Sequence, residues 1–358
     1  MAMSNETMNL TERDTSNFFV RFIKYFIPWK GDGISEVIRK LVFVSSIVLF
    51  SMSLSRLQDF LGADVEEQKS YMQEVVVKYE PKFDDNITYE VNKGSDDVDA
   101  ASPEAIDRER TVQEWAKDLI KRNSDAVGWI KIPGFNNSEG KEYINFPVLQ
   151  GPNNEYYLYK DLDKNYYESG SIYADAWSKI DEEGQSDNIT IFGHHMRYVG
   201  TSFTHLAEYK KGVEFLKKYP VIEFNSVYEN NCKYAIISCF VVNVDESQDD
   251  GNLFVYIGYR NFNDSDYTFE TWYDEIMKRS WYTSNVKCTE DDHYITLSTC
   301  SNETANLRWV IVAKKLTADD NIDLITESYK DKADKDVYFP KCWRDLYGNN
   351  KKDFGWAY

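Results

Sequence analysis

The chain has 358 residues, 42% of them hydrophobic and 15% aromatic. That is enough for about two domains of ordinary size, and it excludes wholesale disorder and a multi-span membrane protein. The formal net charge of −19 excludes nucleic-acid binding, which needs basic surface to neutralise phosphates. The charge is uneven: residues 1–40 carry a net +1 and the remainder −20, so the two parts face different surroundings.

The first feature along the chain is basic and aromatic, Phe18–Trp29 (FFVRFIKYFIPW), a composition suited to a membrane surface. The apolar run Leu41–Leu54 follows, with 15 uncharged residues between Lys40 and Arg56. As a helix these span about 22 Å, against a hydrocarbon core of about 30 Å. Snorkelling of the flanking cations, together with Ile38, Leu57, Phe60 and Leu61, lengthens the apolar surface. The run predicts one short membrane-spanning helix over 41–61; an interfacial or core helix is the alternative. A cleaved signal peptide fits less well, because the preceding segment is long and no A-x-A site follows. Arg21, Lys24, Lys30, Arg39 and Lys40 precede the span, which predicts a cytoplasmic 1–40 and an outer remainder: a type II signal anchor in the cell membrane.

Residues 62–102 are polar and acidic and read as an extracellular stalk with a helical stretch around Glu66–Lys78. Ser102-Pro103 resembles a helix start, with Ile106, Val112, Trp115, Leu119 and Ile120 at near-helical spacing to about Arg122. The pattern then changes to short apolar runs between turns. Candidate strands are Val127–Ile132, Phe146–Gln150, Gly170–Tyr173, Asn188–Phe192, Val221–Phe224, Tyr234–Val244, Tyr294–Ser298 and Trp309–Lys314. Eight such strands suit a small closed β-barrel. One helix, Asp266–Ser280, interrupts them late, with Phe269, Trp272, Tyr273, Ile276 and Met277 on one side. The barrel domain is placed at 103–316, and the charged, then aromatic, segment 317–358 is left without a role.

The chain has four histidines and five cysteines. Gly193-His194-His195 follows one candidate strand, Cys300 ends another, and Arg308 opens the next. A thiolate, an imidazole and a guanidinium meeting at one barrel mouth make a coherent acyl-transfer site: nucleophile, proton shuttle, and oxyanion or substrate ligand. Spacing alone does not single these residues out, since any barrel has residues at its strand ends.

The residues themselves carry a resemblance. Thr296-Leu297-Ser298-Thr299-Cys300 resembles the T-L-x-T-C motif of sortases, membrane-anchored cysteine transpeptidases of Gram-positive bacteria. Gly193-His194 and Arg308 resemble that family's histidine and arginine segments, in the family's order. Val127–Gly134, Ile144–Gly151, Asn154–Leu158, Gly170–Asp175, Phe192–Met196 and the helix ending Lys278–Tyr282 resemble class B sortases, over about Pro103–Leu316. The resemblance implies an eight-stranded sortase-type barrel with an N-terminal helix and a helix inserted before the cysteine strand. It implies Cys300 as nucleophile, His194 as acid and base, Arg308 as oxyanion or substrate ligand, and Thr299 and Ser298 lining the groove. The implied reaction cleaves a C-terminal sorting motif of secreted proteins through a thioester and passes the acyl group to an amine on peptidoglycan or its precursor. A pilin lysine as acceptor, a membrane-anchored peptidase that hydrolyses, and a silent scaffold are the alternatives.

His195 is expected to point away or line the pocket; His205 and His293 are expected to be structural. Cys239 reads as core, and a Cys232–Cys288 disulfide is left to geometry. The acidic loop Asp245–Gly251 faintly resembles a calcium loop, but Ile257 stands where the bidentate Glu belongs, so it reads as solvated; Asp181–Asp187 is a second acidic addition. No zinc spacing or phosphate loop is found, so neither metal nor cofactor is expected. A group orienting His194 is not legible.

Overall fold

The computed structural model describes residues 24–83, 110–196, 200–301 and 303–351. The expected helix start at Ser102-Pro103, the acidic stretch 84–109, Arg21 and the aromatics Phe354, Trp356 and Tyr358 lie outside these. The chain divides after Glu67 into two compact units.

The first unit is dominated by helix α1, Ile34–Tyr79, which continues into the second. Its part from Ile34 to Arg56 is 23 residues, long and apolar enough to cross a membrane. At 1.5 Å per residue it spans about 34 Å, so the shortfall of the apolar run is made up by a helix starting seven residues earlier. Leu41, Val42, Phe43, Ile47, Val48, Leu49 and Phe50 are all exposed. A contiguous apolar surface of that kind is costly in water and at home in hydrocarbon.

The second unit begins within the expected stalk. The last turns of α1 pack Val75 and Tyr79 into a cluster with Leu119, Trp129, Leu149, Tyr157 and Tyr173. Gln68 is tied to Tyr167 and Ser169 by hydrogen bonds of 3.2 and 2.6 Å. The segment 68–79 is therefore part of the barrel unit rather than a free spacer. Within the described part of the predicted helix, Glu114–Ala116 (3-10) and α2, Lys117–Arg122, are helical, whereas residues 110–113 are not. Val112 is not helical, because the backbone on either side of it is used by the barrel unit. Arg110 N donates to Glu182 O at 2.9 Å and Gln113 N to Val227 O at 2.8 Å.

Eight strands close the barrel: β1 Ala126–Lys131, β2 Asn145–Leu149, β3 Ile172–Ala174, β4 Asn188–Phe192, β5 Val221–Ser226, β6 Lys233–Asn243, β7 Tyr294–Cys300 and β8 Leu307–Lys315. Around the ring they run β1-β2-β3-β4-β7-β8-β6-β5 and back to β1. Each strand falls within a few residues of its predicted range. β6 is buried along nearly its whole length, because its inner face fills the barrel and its outer face is covered. α3, Val213–Lys218, and the 3-10 helix Thr204–Lys211 lie between β4 and β5. The inserted helix α4, Phe269–Arg279, is capped by Thr268, whose hydroxyl accepts from Thr271 N. It buries Trp272 and Ile276, about 1.5–3 kcal/mol each.

The C-terminal segment is core, not appendage. α5, Ile322–Ser328, and α6, Lys341–Tyr347, flank the short strand Lys330–Asp331, which pairs with Tyr282–Thr283. Ile325, Tyr329, Val337, Phe339 and Trp343 join the main hydrophobic cluster. The acidic loop after β6 is not simply solvated. Asp249 is 2% exposed and accepts from Lys341 N at 2.7 Å, satisfying an orphan donor at the start of α6. All five cysteines are free, so the Cys232–Cys288 bridge is not formed. Burial pushes the Cys232 thiol up to about 11 and Cys288 up to about 12, which disfavours the thiolate at both.

Candidate active site

Parallel pairing of β4 with β7 brings the two motifs together. The register runs from Tyr294 opposite Asn188 to Ser298 opposite Phe192. Just beyond it, Gly193 N donates to Ser298 O at 3.2 Å and Thr299 Oγ1 donates to Gly193 O at 2.7 Å. This bracket sets the chain leading into His194 beside the chain leading into Cys300. A Cβ on Gly193 would stand 2.5 Å from Ile172 Cδ1 and 2.8 Å from the Phe203 ring, so a side chain there would have to displace both. On the other side, antiparallel β7 and β8 end on the pair Cys300–Arg308. Directly paired residues project to the same face of the sheet, so the side chains of Cys300 and Arg308 leave the backbone on one side.

Thr299 and Ser298 are both 2% exposed. Thr299 spends its hydroxyl on the Gly193 bracket, and Ser298 Oγ lies 2.7 Å from the Tyr256 hydroxyl. Their hydroxyls are committed inside the fold, not offered to the surface. Tyr173 and Tyr256 sit within electrostatic reach of both Cys300 and Arg308. Burial raises both phenols most; Arg308 opposes this for Tyr173, and the Ser298 hydrogen bond and Arg308 oppose it for Tyr256. Sequence reading singled out neither tyrosine, although Tyr173 lies inside a quoted segment.

His194 is half-buried, with Nε2 2.8 Å from Leu158 O and its ring 5.4 Å from that of Tyr159. A carbonyl only accepts, so Nε2 carries a proton and Nδ1 is left to exchange one. Burial lowers the His194 pKa; the Leu158 carbonyl opposes this, and Arg308 adds to the lowering. Leu158 is the orienting group that sequence could not supply, since it acts through its backbone. Its carbonyl is placed by Gly170, whose φ is +56° and whose added Cβ would stand 2.3 Å from Leu158 O. The neighbouring Tyr157 hydroxyl is anchored 2.6 Å from Asp125 and 2.9 Å from Asn123.

His195 reaches the other way, with Nδ1 3.0 Å from Cys300 O, holding the main chain of the cysteine. His205 stacks on Tyr143 at 3.6 Å, and burial lowers its pKa to about 4. Arg308 Nη1 donates to Ala305 O and Leu307 O at 3.1 and 3.0 Å. These bonds use one terminal nitrogen of a group with five N–H donors.

Residues 130–316 match the family model described as the sortase domain, just over half the chain. Sortase B of Staphylococcus aureus is 32% identical over 201 residues, 55% of this chain and 73% of that protein. Sortase B of Listeria monocytogenes is 31% identical over 192 residues, 54% and 69%. A crystal structure of Bacillus anthracis sortase B shares the fold with a TM-score of 0.52 at 21% identity, covering 71% of this chain and 99% of that one. A barrel of this order, with a cysteine, a histidine and an arginine at three adjoining strand ends, and relatives of this kind together place the chain in the sortase family of cysteine transpeptidases.

Proposed function

We propose that Cys300, His194 and Arg308 carry a transpeptidation on C-terminal sorting motifs of secreted proteins. Cys300 gives its thiol proton to His194, and the thiolate Sγ attacks the carbonyl carbon of the motif's threonine. The C–N bond then breaks, and the leaving amine takes a proton from His194. The resulting thioester is attacked by an amine of peptidoglycan or its precursor, which gives a proton to His194. The C–S bond breaks, and the proton on His194 returns to the sulfur to restore the thiol. Arg308 donates to the carbonyl oxygen as it gains charge, or fixes the substrate backbone. The observation that carries this reading is the Cys300–Arg308 pair beside the Gly193–Thr299 bracket. The helix Ile34–Arg56 serves as a type II anchor, with the basic residues before it in the cytoplasm and the barrel unit outside.

The test is intact-protein mass spectrometry of the full chain in detergent, mixed with sorting-motif peptides with and without an added amine. The expected result is a peptide-sized adduct on wild type, discharged faster by amine and absent from Cys300→Ala. An adduct that persists on Cys300→Ala removes the nucleophile assignment. Discharge at one rate with and without amine makes the enzyme a peptidase.

A further inference from the structure

The turn between Cys300 and Arg308 is held from inside the protein by a buried charge. Lys210, in the 3-10 helix Thr204–Lys211, places Nζ 2.6 Å from Glu303 Oε1 and 2.8 Å from Ser301 Oγ. Ser301 also donates to the second Glu303 oxygen. The Lys210 and Glu303 side chains are 3% and 1% exposed. The far side of the turn is tied as well: Asn306 Nδ2 donates to Asp245 at 2.9 Å, and Val244 N donates to Asn306 O at 3.0 Å.

A buried ion pair is a poor source of stability. Its desolvation offsets its attraction, and an apolar pair of similar volume folds as well or better. What the charge supplies, and leucine would not, is direction. One ammonium with fixed hydrogen bonds sets Ser301, the residue after Cys300, and Glu303 in a single arrangement. The pair is walled by aromatics: Lys210 Nζ lies 5.2 Å from the Trp309 ring and 5.9 Å from the Trp343 ring. Trp309 follows Arg308 in β8. Trp343 comes from α6, beyond the part of the chain that matches the sortase domain. Trp281 stacks edge-on to both, at 4.9 and 5.9 Å.

We propose that Lys210 and Glu303 are positioning residues of the transpeptidase, keeping the turn in the shape that pairs Cys300 with Arg308, and that Trp343 of the C-terminal segment keeps this pair dry. The proposal rests on the assignment of Cys300 and Arg308 to the chemistry.

The experiment measures peptide-to-amine transfer and thermal melting of the full chain in detergent. Removing one partner, as in Glu303→Gln, leaves a buried charge unpaired and lowers both melting temperature and kcat. The apolar double variant Lys210→Met with Glu303→Leu is expected to regain melting but to stay about 10-fold or more low in kcat, with KM within about threefold, because small misplacements at a reacting centre cost rate steeply. Ser301→Ala, which buries no charge, is expected to lower kcat about fivefold at unchanged melting, and Trp343→Leu to lower kcat by a similar factor per folded molecule. A double variant with wild-type kcat, or a silent Ser301→Ala, overturns the positioning role. A silent Trp343→Leu overturns the role of the C-terminal segment. Transfer that survives in Cys300→Ala would instead sink the nucleophile assignment itself, and the two failures are thereby told apart.

Discussion

His194 and His195 are adjacent in sequence and turn to opposite tasks: Nε2 of His194 lies on the carbonyl of Leu158 at 2.8 Å, and Nδ1 of His195 on the carbonyl of Cys300 at 3.0 Å. The first bond fixes which nitrogen is left to exchange a proton, and the second fixes the backbone of Cys300, the proposed nucleophile. Two substitutions that look alike on paper therefore have different consequences. His194→Ala should lower the rate of thioester formation by about 10²–10⁴-fold, the usual worth of a general acid–base. His195→Ala should cost about 10-fold, equivalent to one hydrogen bond of about 1 kcal/mol plus some looseness. Single-turnover acylation by rapid quench separates the two; equal losses would assign His195 a chemical role.

Gly170→Ala tests the carbonyl that orients His194. The substitution puts a Cβ 2.3 Å from Leu158 O at a φ of +56°. Something must shift, and the strain costs about 1–3 kcal/mol. Acylation is expected to fall about 10–100-fold, while Cys300 still reacts with a small thiol reagent. A variant with wild-type acylation would show that the Leu158 bond does not matter to the histidine.

Arg308→Lys is not conservative at this position. A lysine keeps the charge but loses the planar fork that can bond its own turn and still present donors to an oxygen. The expected loss in kcat/KM is about 10²-fold, comparable to removing an oxyanion donor. Near-normal turnover in the lysine variant would mean that charge alone suffices.

Acid stability follows from the buried imidazoles. The folded pKa of His205 is lowered by burial to about 4, from 6.5. The unfolded chain thus binds the extra proton across that interval, and stability rises with pH. The contribution is fully present above about 6.5 and lost as pH falls toward 4, about 3 kcal/mol at most. His194 and His293 are shifted in the same direction by burial. Urea melts between pH 7 and 4 should show wild type losing stability and His205→Phe losing visibly less. Parallel curves for the two proteins count against His205 as a contributor.

A last expectation concerns the scaffold. Asp175 is fully buried and held by Arg260, with Nε 2.5 Å from its carboxylate. Arg260→Ala leaves that carboxylate unpaired and should cost about 3–5 kcal/mol in urea unfolding. A loss below about 1 kcal/mol would show that Asn154 and Ser178, which also bond Asp175, suffice.

Local pattern carried the barrel. The eight strands were legible because short apolar runs between turn residues have few other ways to bury themselves, and the inserted helix because Trp272 and Ile276 repeat at helical spacing. Less was legible where long-range contacts compete with local preference. Val112 continued a helical spacing, yet the backbone around it pairs with Glu182 and Val227 instead. Residues 68–79 looked like a polar spacer because only a narrow stripe, including Val75 and Tyr79, is buried. The role of the C-terminal segment was not legible, since its partners Lys210 and Trp281 come from elsewhere in the chain.

By itself the sequence determined the chemistry on offer: a cysteine closing one strand, an arginine opening the next, a glycine-histidine after a third, and an apolar run near the N-terminus. These are covalent facts with local signatures. Only the tertiary structure decided which groups meet. Parallel pairing of β4 with β7 sets His194 beside the cysteine strand, and the length of the turn pairs Cys300 with Arg308. The atoms that orient them are a backbone carbonyl at Leu158 and a buried ammonium at Lys210. Neither has a sequence signature, because a carbonyl belongs to every residue and a lysine normally belongs to the surface.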